Sequence, residues 1–105
     1  GYLGFSYFEE NQDSLRAVEI DGGDGCVAPS VATAQDGSYA PLSRPLFVYA
    51  KSEAFARPEV EDFVQYILDN ETTIAEEAQF VPLNEDQLAE QKQKFEEALA
   101  EVDSQ

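Results

Sequence analysis

Ser43 and Arg44 are the residues of this sequence whose chemistry best suits ligand binding, and they stand side by side before an apolar stretch. A hydroxyl and a guanidinium fork can together hold an oxyanion, because both donate hydrogen bonds and the guanidinium carries a positive charge. The alternative is that Arg44 forms an ordinary surface ion pair with one of the many acidic side chains. We therefore treat Ser43 and Arg44 as candidate anion-binding residues and keep the ion pair as the competing interpretation.

Other patterns that could support chemistry are incomplete. The turn "DGGDG", residues 21–25, lacks the Gly-Lys-Ser/Thr ending of a phosphate-binding P-loop and the ligand spacing of an EF-hand. The sequence has no histidine, and its single cysteine, Cys26, therefore has no imidazole to activate it. Adjacent acids such as Glu9 and Glu10 point in different directions on a helix, which disfavours an acid-base pair. We expect no enzyme, no cofactor and no metal site.

The charge balance excludes one large class of partner. The chain has 22 acidic residues against 6 basic ones and a formal net charge of -16. Nucleic-acid binding is not expected, because the phosphate backbone is held by clusters of Lys and Arg that this sequence lacks. The acidic residues are spread over predicted helix faces, which is more typical of a solvated surface than of a cation-binding patch.

Strand and helix patterns alternate in the first part of the chain. Residues 1–8 suit a short strand, residues 5–15 a helix, and residues 15–20 a second strand that ends in the turn at 21–25. A short helix is then predicted, with Ser30 as its N-cap and Gly37 at its C-cap.

The second part of the chain is mostly helical after one apolar run. Residues 46–50 are rich in β-formers and predict a strand that is buried on both faces. Pro58 begins a helix with apolar residues at helical spacing, and a further short helix follows. Asn84 with Gln87 forms a capping-box pattern for the last helix. The order indicates an α/β fold, yet three strands make a poor sheet, so further strands and a longer parent protein are expected.

Three stretches taken together resemble a known family. They are "GYLGFSYFEEN", "VAPSVATAQDGSYAPLSRPLFVYAK" and "FVPLNEDQLAEQKQKFEE". In this order and spacing they resemble the carboxyl-terminal third of bacterial phosphate-binding proteins, the extracytoplasmic subunits of the phosphate ABC transporter. The most specific part runs from Ser30 to Ala50.

The resemblance implies a type II periplasmic-binding-protein fold, in which two α/β lobes close on phosphate. On that template, residues 1–40 would be the end of the second lobe. Residues 41–105 would be the hinge return, the final strand and the carboxyl-terminal helices of the first lobe. The chain is then expected to be a carboxyl-terminal fragment, which could associate or exchange elements through exposed apolar residues.

The resemblance also implies a function for the parent protein. It would bind inorganic phosphate in the periplasm or outside the cell, with or without a lipid anchor, and deliver it to the permease of an ABC transporter. In this family the main phosphate ligands lie upstream of the matching region, so none is expected here beyond the candidates Ser43 and Arg44. The alternatives are a binding protein for sulfate or molybdate and an acidic interaction module that folds alone.

Overall fold

The computed structural model describes residues 1–104, and it is mixed helical with little sheet. The helices and strands are, in chain order, α1 (Phe5–Glu10), β1 (Ile20–Asp21), β2 (Cys26–Val27), α2 (Val31–Gln35), a 3-10 helix (Ser52–Ala56), α3 (Pro58–Asp69), α4 (Glu71–Glu77) and α5 (Glu85–Asp103). The described chain divides into two compact units. The first contains residues 1–46 and 75–82, and the second contains residues 47–74 and 83–104. The predicted division after residue 40 into two lobes stays a prediction.

A small hairpin organises the first unit. Strands β1 and β2 pair antiparallel with Ile20 opposite Val27. The turn between them is fixed by Asp21, whose Oδ1 accepts hydrogen bonds from the backbone N–H of Gly23 at 2.8 Å and of Gly25 at 3.2 Å. Both glycines have positive φ angles, 123° and 107°, which favour glycine. The predicted turn at residues 21–25 is thus confirmed.

The predicted cap of α2 is also confirmed. The Ser30 side chain accepts a hydrogen bond from the Thr33 backbone N–H at 3.1 Å, and the Ser30 backbone N–H donates to Thr33 Oγ1 at 2.8 Å. This reciprocal pair satisfies two donors that the start of a helix leaves free. Asp36 is the C-cap, and Gly37 follows it with a φ of 78°, one position beyond the expected cap.

Two of the predicted strands in the first unit are wrong. Residues 1–8 hold no strand, because α1 begins at Phe5 and Gly4 serves as its N-cap. In the predicted strand 15–20, only Ile20 belongs to β1. The partner strand β2 is two residues long and is soon followed by Pro29, which has no N–H to continue the pairing, so residues 15–19 gain no strand partner.

The second unit packs around one aromatic residue. Phe95 of α5 is exposed to only 7% and is the one buried residue in the part of the chain that the structure describes. Its ring meets Phe55 of the 3-10 helix edge-on, with centroids 5.6 Å apart. Lys92 of α5 also reaches Asp69 of α3, with 3.7 Å between Nζ and Oδ1. The ring contact thus links α5 to the 3-10 helix, and the exposed ion pair links α5 to α3.

The helix boundaries of the second unit follow the sequence prediction closely. Pro58 is the first residue of α3, and Asn70 is its C-cap. At α5, Asn84 Oδ1 accepts from the Gln87 N–H at 2.9 Å, and Gln87 Oε1 accepts from the Asn84 N–H at 3.1 Å. The predicted capping box is confirmed, because all of its bonds lie within four residues.

The predicted buried strand at residues 46–50 is wrong for this chain. These residues belong to no strand, and all five are exposed. The hairpin β1–β2 is the only sheet within residues 1–104, and it pairs with neither edge of this segment. An apolar strand is buried only when neighbouring strands and covering helices are present. The apolar composition of residues 46–50 was therefore not enough to predict a strand.

Membrane crossing has no support among the described helices. None of the helices within residues 1–104 combines the length and the apolar character that a bilayer span requires.

Candidate functional site

Tyr39 fixes the backbone that leads to Ser43 and Arg44. Its N–H donates to the Thr33 carbonyl at 3.1 Å, and its hydroxyl donates to the Val18 carbonyl at 3.3 Å. Its own carbonyl accepts the Ser43 N–H at 2.8 Å. Ser43 thus stands at the end of a turn whose start is tied both to α2 and to the segment before β1.

Gly22 allows the hairpin turn to approach this backbone closely. A Cβ atom on Gly22 would lie 2.5 Å from the Ala40 carbonyl oxygen, which is closer than a side chain can come. Only a glycine therefore fits the turn against Ala40 without a shift of one backbone or the other. Residues 21–25 support the segment that carries the two candidate residues.

Ser43 and Arg44 differ in their surroundings. Ser43 is half-buried, and Arg44 is exposed. Among the residues that the structure describes, the ion pairs are Arg57 with Glu59, Lys92 with Asp69, and Lys94 with Glu90. Arg44 is in none of them, so the ion pair that competes with anion binding is absent from the described part of the chain. The guanidinium is free to meet an anion from solution.

The pair cannot form a complete oxyanion site by itself. The Ser43 backbone N–H is already bonded to the Tyr39 carbonyl, and the two side chains of the pair offer one hydroxyl and one guanidinium. A desolvated phosphate needs many more donors than these two groups supply. The electrostatic field of the chain, with its net charge of -16, also opposes anion binding. Whether Ser43 and Arg44 contact a ligand stays a prediction.

A cleft elsewhere in the first unit is acidic. It has a volume of about 320 Å³, and its walls include Glu9 and Glu10 of α1 and Glu76 of α4. Two hydrogen bonds bring its sides together, from Ser6 Oγ to the Gln79 carbonyl at 2.8 Å and from Gln79 Nε2 to Glu10 Oε1 at 3.4 Å. Three carboxylates repel an anion, so this cleft is unsuited to phosphate.

Metal ligation and thiol chemistry gain no support from the geometry. Within residues 1–104 no group of three or more His, Cys, Asp or Glu side chains is placed to hold a metal ion. Cys26 is exposed in β2, in a shallow hollow whose walls include Arg16 and Glu19.

Two residues that matter for the site were not predicted. They are Tyr39 and Gly22. Their contacts join Tyr39 to Val18 and Gly22 to Ala40, which are about twenty positions apart in sequence. Such pairings depend on tertiary structure, and the sole sequence signal is the run of glycines that permits a close approach.

Known proteins share substantial identity with this chain. It is 40% identical over 84 residues to protein SphX of Synechococcus elongatus, which covers 79% of this chain and 25% of that protein. It is 42% identical over 83 residues to phosphate-binding protein PstS of Staphylococcus epidermidis, which covers 77% of this chain and 25% of that protein. The chain is similar to part of a phosphate-binding protein.

A third relative extends the match over most of the chain. Phosphate-binding protein PstS of Staphylococcus saprophyticus is 35% identical over 101 residues, which is 94% of this chain and 31% of that protein. The predicted resemblance to phosphate-binding proteins is therefore confirmed. The chain spans about a quarter of the length of the first two relatives. No family model and no solved structure matches the chain.

Proposed function

We propose that this chain is part of a protein that binds inorganic phosphate and delivers it to an ABC transporter. The observation that carries the proposal is the identity of 42% over 83 residues with a relative named a phosphate-binding protein. Three relatives from two bacterial groups agree over most of the chain, and two of them carry that name. The relatives' names favour phosphate over sulfate or molybdate, and they favour transport over catalysis.

The proposal includes a fold and a location for the whole protein. A type II periplasmic-binding-protein fold would close two lobes over the anion, with residues 1–40 in the second lobe and residues 41–105 in the hinge return and the first lobe. Closure selects a ligand when the closed state makes contacts that the open state lacks. The protein would act in the periplasm or outside the cell, with or without a lipid anchor, and its partner would be the transporter permease.

Within that protein, this chain would act mainly as a scaffold. Ser43 and Arg44 would lie at the edge of the hinge or cleft and add to a ligand shell supplied by other residues. Two features of the chain support this assignment. The Tyr39 turn holds Ser43 in place, and the Arg44 guanidinium has no carboxylate partner among the described residues. A free guanidinium at the rim attracts an anion against the acidic field of the chain.

Calorimetric titration of two proteins tests the proposal. One is this chain alone, and the other is the Staphylococcus epidermidis relative with its matching portion replaced by this chain. We expect no heat of phosphate binding from the isolated chain and saturable, phosphate-selective binding by the chimera, with sulfate as the control anion. Arg44→Gln in the chimera should weaken binding about tenfold, since one charge-assisted hydrogen bond is lost. Lys51→Gln removes a positive charge seven positions further along the chain and serves as the matched control.

Three results would contradict the proposal in different ways. A folded chimera that gives no heat of phosphate binding would refute the phosphate-binding function. A chimera that prefers sulfate would assign the chain to a protein for another oxyanion. Tight binding by the isolated chain would show that the ligand shell lies within these 105 residues, against the scaffold role.

A further inference from the structure

Three aspartates of the first unit are each followed by a glycine. They are Asp21, Asp24 and Asp36, followed by Gly22, Gly25 and Gly37. An Asp-Gly peptide bond can rearrange without an enzyme, because the glycine nitrogen lies close to the aspartate carboxyl group and no side chain on the glycine shields it. All three aspartates are exposed, so access to water does not distinguish them. Their hydrogen bonds do.

Asp21 is held both at its carboxyl group and at the residue that follows it. Its Oδ1 accepts the backbone N–H of Gly23 at 2.8 Å and of Gly25 at 3.2 Å. Gly22 lies against the Ala40 carbonyl, where a Cβ atom on Gly22 would come within 2.5 Å of the oxygen. Attack by the Gly22 nitrogen on this carboxyl group would require both hydrogen bonds to break and a closely packed backbone to move.

Asp36 is held by the residue two positions later. Its Oδ1 accepts the Ser38 backbone N–H at 2.7 Å. The Ser38 side chain, and then its backbone N–H, hold the pKa of the Asp36 carboxyl group below its ordinary value, which favours the ionised form. The ionised form is the less reactive one, because its oxygen leaves only after it gains a proton.

Asp24 lacks these restraints. Among the residues that the structure describes, its side chain forms no hydrogen bond and no ion pair. It lies between two glycines at positive φ, and a Cβ atom on Gly25 would have no atom within 4 Å apart from those of its chain neighbours. The Gly25 N–H donates the longer of the two bonds to Asp21, and a carboxylate acceptor can take up the proton that an attacking nitrogen loses.

We propose that the Asp24-Gly25 bond is a site of spontaneous covalent modification, at which Asp24 converts to isoaspartate. The Gly25 nitrogen attacks Cγ of the protonated Asp24 carboxyl group and forms a C–N bond. The proton of the nitrogen and the hydroxyl group of the carboxyl leave together as water, and the product is a cyclic imide. Water then opens the ring. Cleavage of the new C–N bond restores aspartate, and cleavage of the original peptide bond leaves isoaspartate.

The modification would change a turn that supports the candidate anion-binding residues. Isoaspartate at position 24 adds one carbon atom to the main chain, so the Gly25 N–H no longer has the same path to Asp21. Gly22, two positions before the modified residue, holds this turn against Ala40. The inference concerns the turn itself and does not depend on the proposed function.

Prolonged incubation of the folded chain in water enriched in heavy oxygen, followed by peptide mapping, tests the inference. Tryptic cleavage places all three Asp-Gly bonds in one peptide, residues 17–51, because Arg44 is followed by a proline. Electron-transfer fragmentation then distinguishes isoaspartate from aspartate at each position. We expect at least about tenfold more isoaspartate at Asp24 than at Asp21 or Asp36, since a hydrogen bond to a charged group protects each of the other two. One heavy oxygen atom should enter at the modified residue when the imide opens.

The same chain unfolded in guanidinium chloride is the control for the effect of the fold. The three bonds should then react at similar rates, because the hydrogen bonds of Asp21 and Asp36 are lost. Asp24→Glu keeps the charge but disfavours ring closure, and it should remove most of the isoaspartate from the folded chain. Asp36→Glu, the matched variant, should leave the amount nearly unchanged.

Four results would overturn the inference. The first is equal modification at the three positions of the folded chain, and the second is a maximum at Asp21 or Asp36. The third is a preference for Asp24 that persists in guanidinium chloride, since it would come from neighbouring residues and not from the fold. The fourth is isoaspartate that forms only in the unfolded chain, which would mean that the folded turn protects Asp24 as well. If Asp24→Glu fails to fold, the comparison of the folded and unfolded parent chain still decides.

Discussion

Helix α5 and residues 46–50 contrast sharply in composition and in order. Helix α5 runs for 19 residues and is mostly polar, yet its first turn is capped and Phe95 anchors it in the small core. Residues 46–50 carry no charge and are almost wholly apolar, yet all of them are exposed and irregular. Hydrophobicity alone therefore does not decide which part of this chain becomes ordered.

The difference lies in where each region finds its hydrogen-bond partners. A helix satisfies its backbone within four residues, and the cap of α5 needs only Asn84 and Gln87. A strand takes its partners from another part of the chain, and residues 46–50 find none within the described residues. The regular elements of this chain are therefore mainly those whose backbone hydrogen bonds are formed locally. The one buried side chain of the described residues, Phe95, lies on such a helix.

The largest expected effect comes from emptying the core of the second unit. Phe95→Ala removes the buried ring and its edge-on contact with Phe55, and should lower the free energy of unfolding by about 3 kcal/mol. Tyr49→Ala removes a ring of similar size from the exposed residues 46–50 and should change the free energy of unfolding by less than about 0.5 kcal/mol. Urea unfolding followed by circular dichroism measures both variants.

A similar loss of unfolding free energy in Phe95→Ala and Tyr49→Ala would contradict the contrast between α5 and residues 46–50. It would mean that Tyr49 is buried in the folded chain in solution, through self-association or through a rearrangement of the segment. Repeating the unfolding at several protein concentrations distinguishes these two cases, because only association makes stability depend on concentration.

Removal of the capping box of α5 should have an intermediate effect on the free energy of unfolding. Asn84→Ala leaves the Gln87 backbone N–H without its acceptor and should lower the free energy of unfolding by about 1 kcal/mol. Asn84→Asp keeps an oxygen acceptor at the same position and should retain most of the stability. The change in helicity and in the urea midpoint measures both variants. An unchanged midpoint in the alanine variant would show that the cap adds no measurable stability to the chain.

The same contrast explains which elements could be predicted from the sequence. The ends of α3, the cap of α2 at Ser30 and the box at Asn84 were predicted correctly, because each depends on residues within one helical turn. The strands at residues 1–8 and 46–50 were wrong, because a strand needs a partner that composition cannot supply. The turn at residues 21–25 lies between these cases, since Asp21 and its glycines act locally.

For the candidate site, the sequence predicted the residue types but not the contacts that hold them. Ser43 and Arg44 stood out by residue type, whereas the contacts that hold their backbone link Tyr39 to Val18 and Gly22 to Ala40 across long sequence separations. The sequence also could not predict that Arg44 forms no ion pair with a carboxylate of the described residues, because it contains many acidic residues. Such facts depend on which distant segments meet.

The smallest expected effect concerns a carboxylate at the start of α3. The backbone N–H of Glu59, and then the Arg57 guanidinium, hold the pKa of the Glu59 carboxyl below its ordinary value of 4.5. Arg57 donates to Glu59 Oε1 from Nε at 2.9 Å and from the neighbouring guanidinium nitrogen at 2.6 Å. Because the folded pKa is the lower one, the charged form stabilises the fold above pH 4.5, and this contribution is lost as pH falls through the folded pKa.

NMR titration of the Glu59 carboxyl, with Arg57→Gln as the variant, separates the two causes. The substitution removes the guanidinium but leaves the backbone N–H, so the pKa should rise and still remain below its ordinary value. High salt should act in the same direction on the parent chain, since this exposed ion pair is screened. A full return to the ordinary pKa in the variant would mean that the ion pair alone is responsible. The charged form of Glu59 at the start of α3 would then be stabilised by a side-chain contact, unlike the caps of α2 and α5, in which a side chain accepts from a backbone N–H.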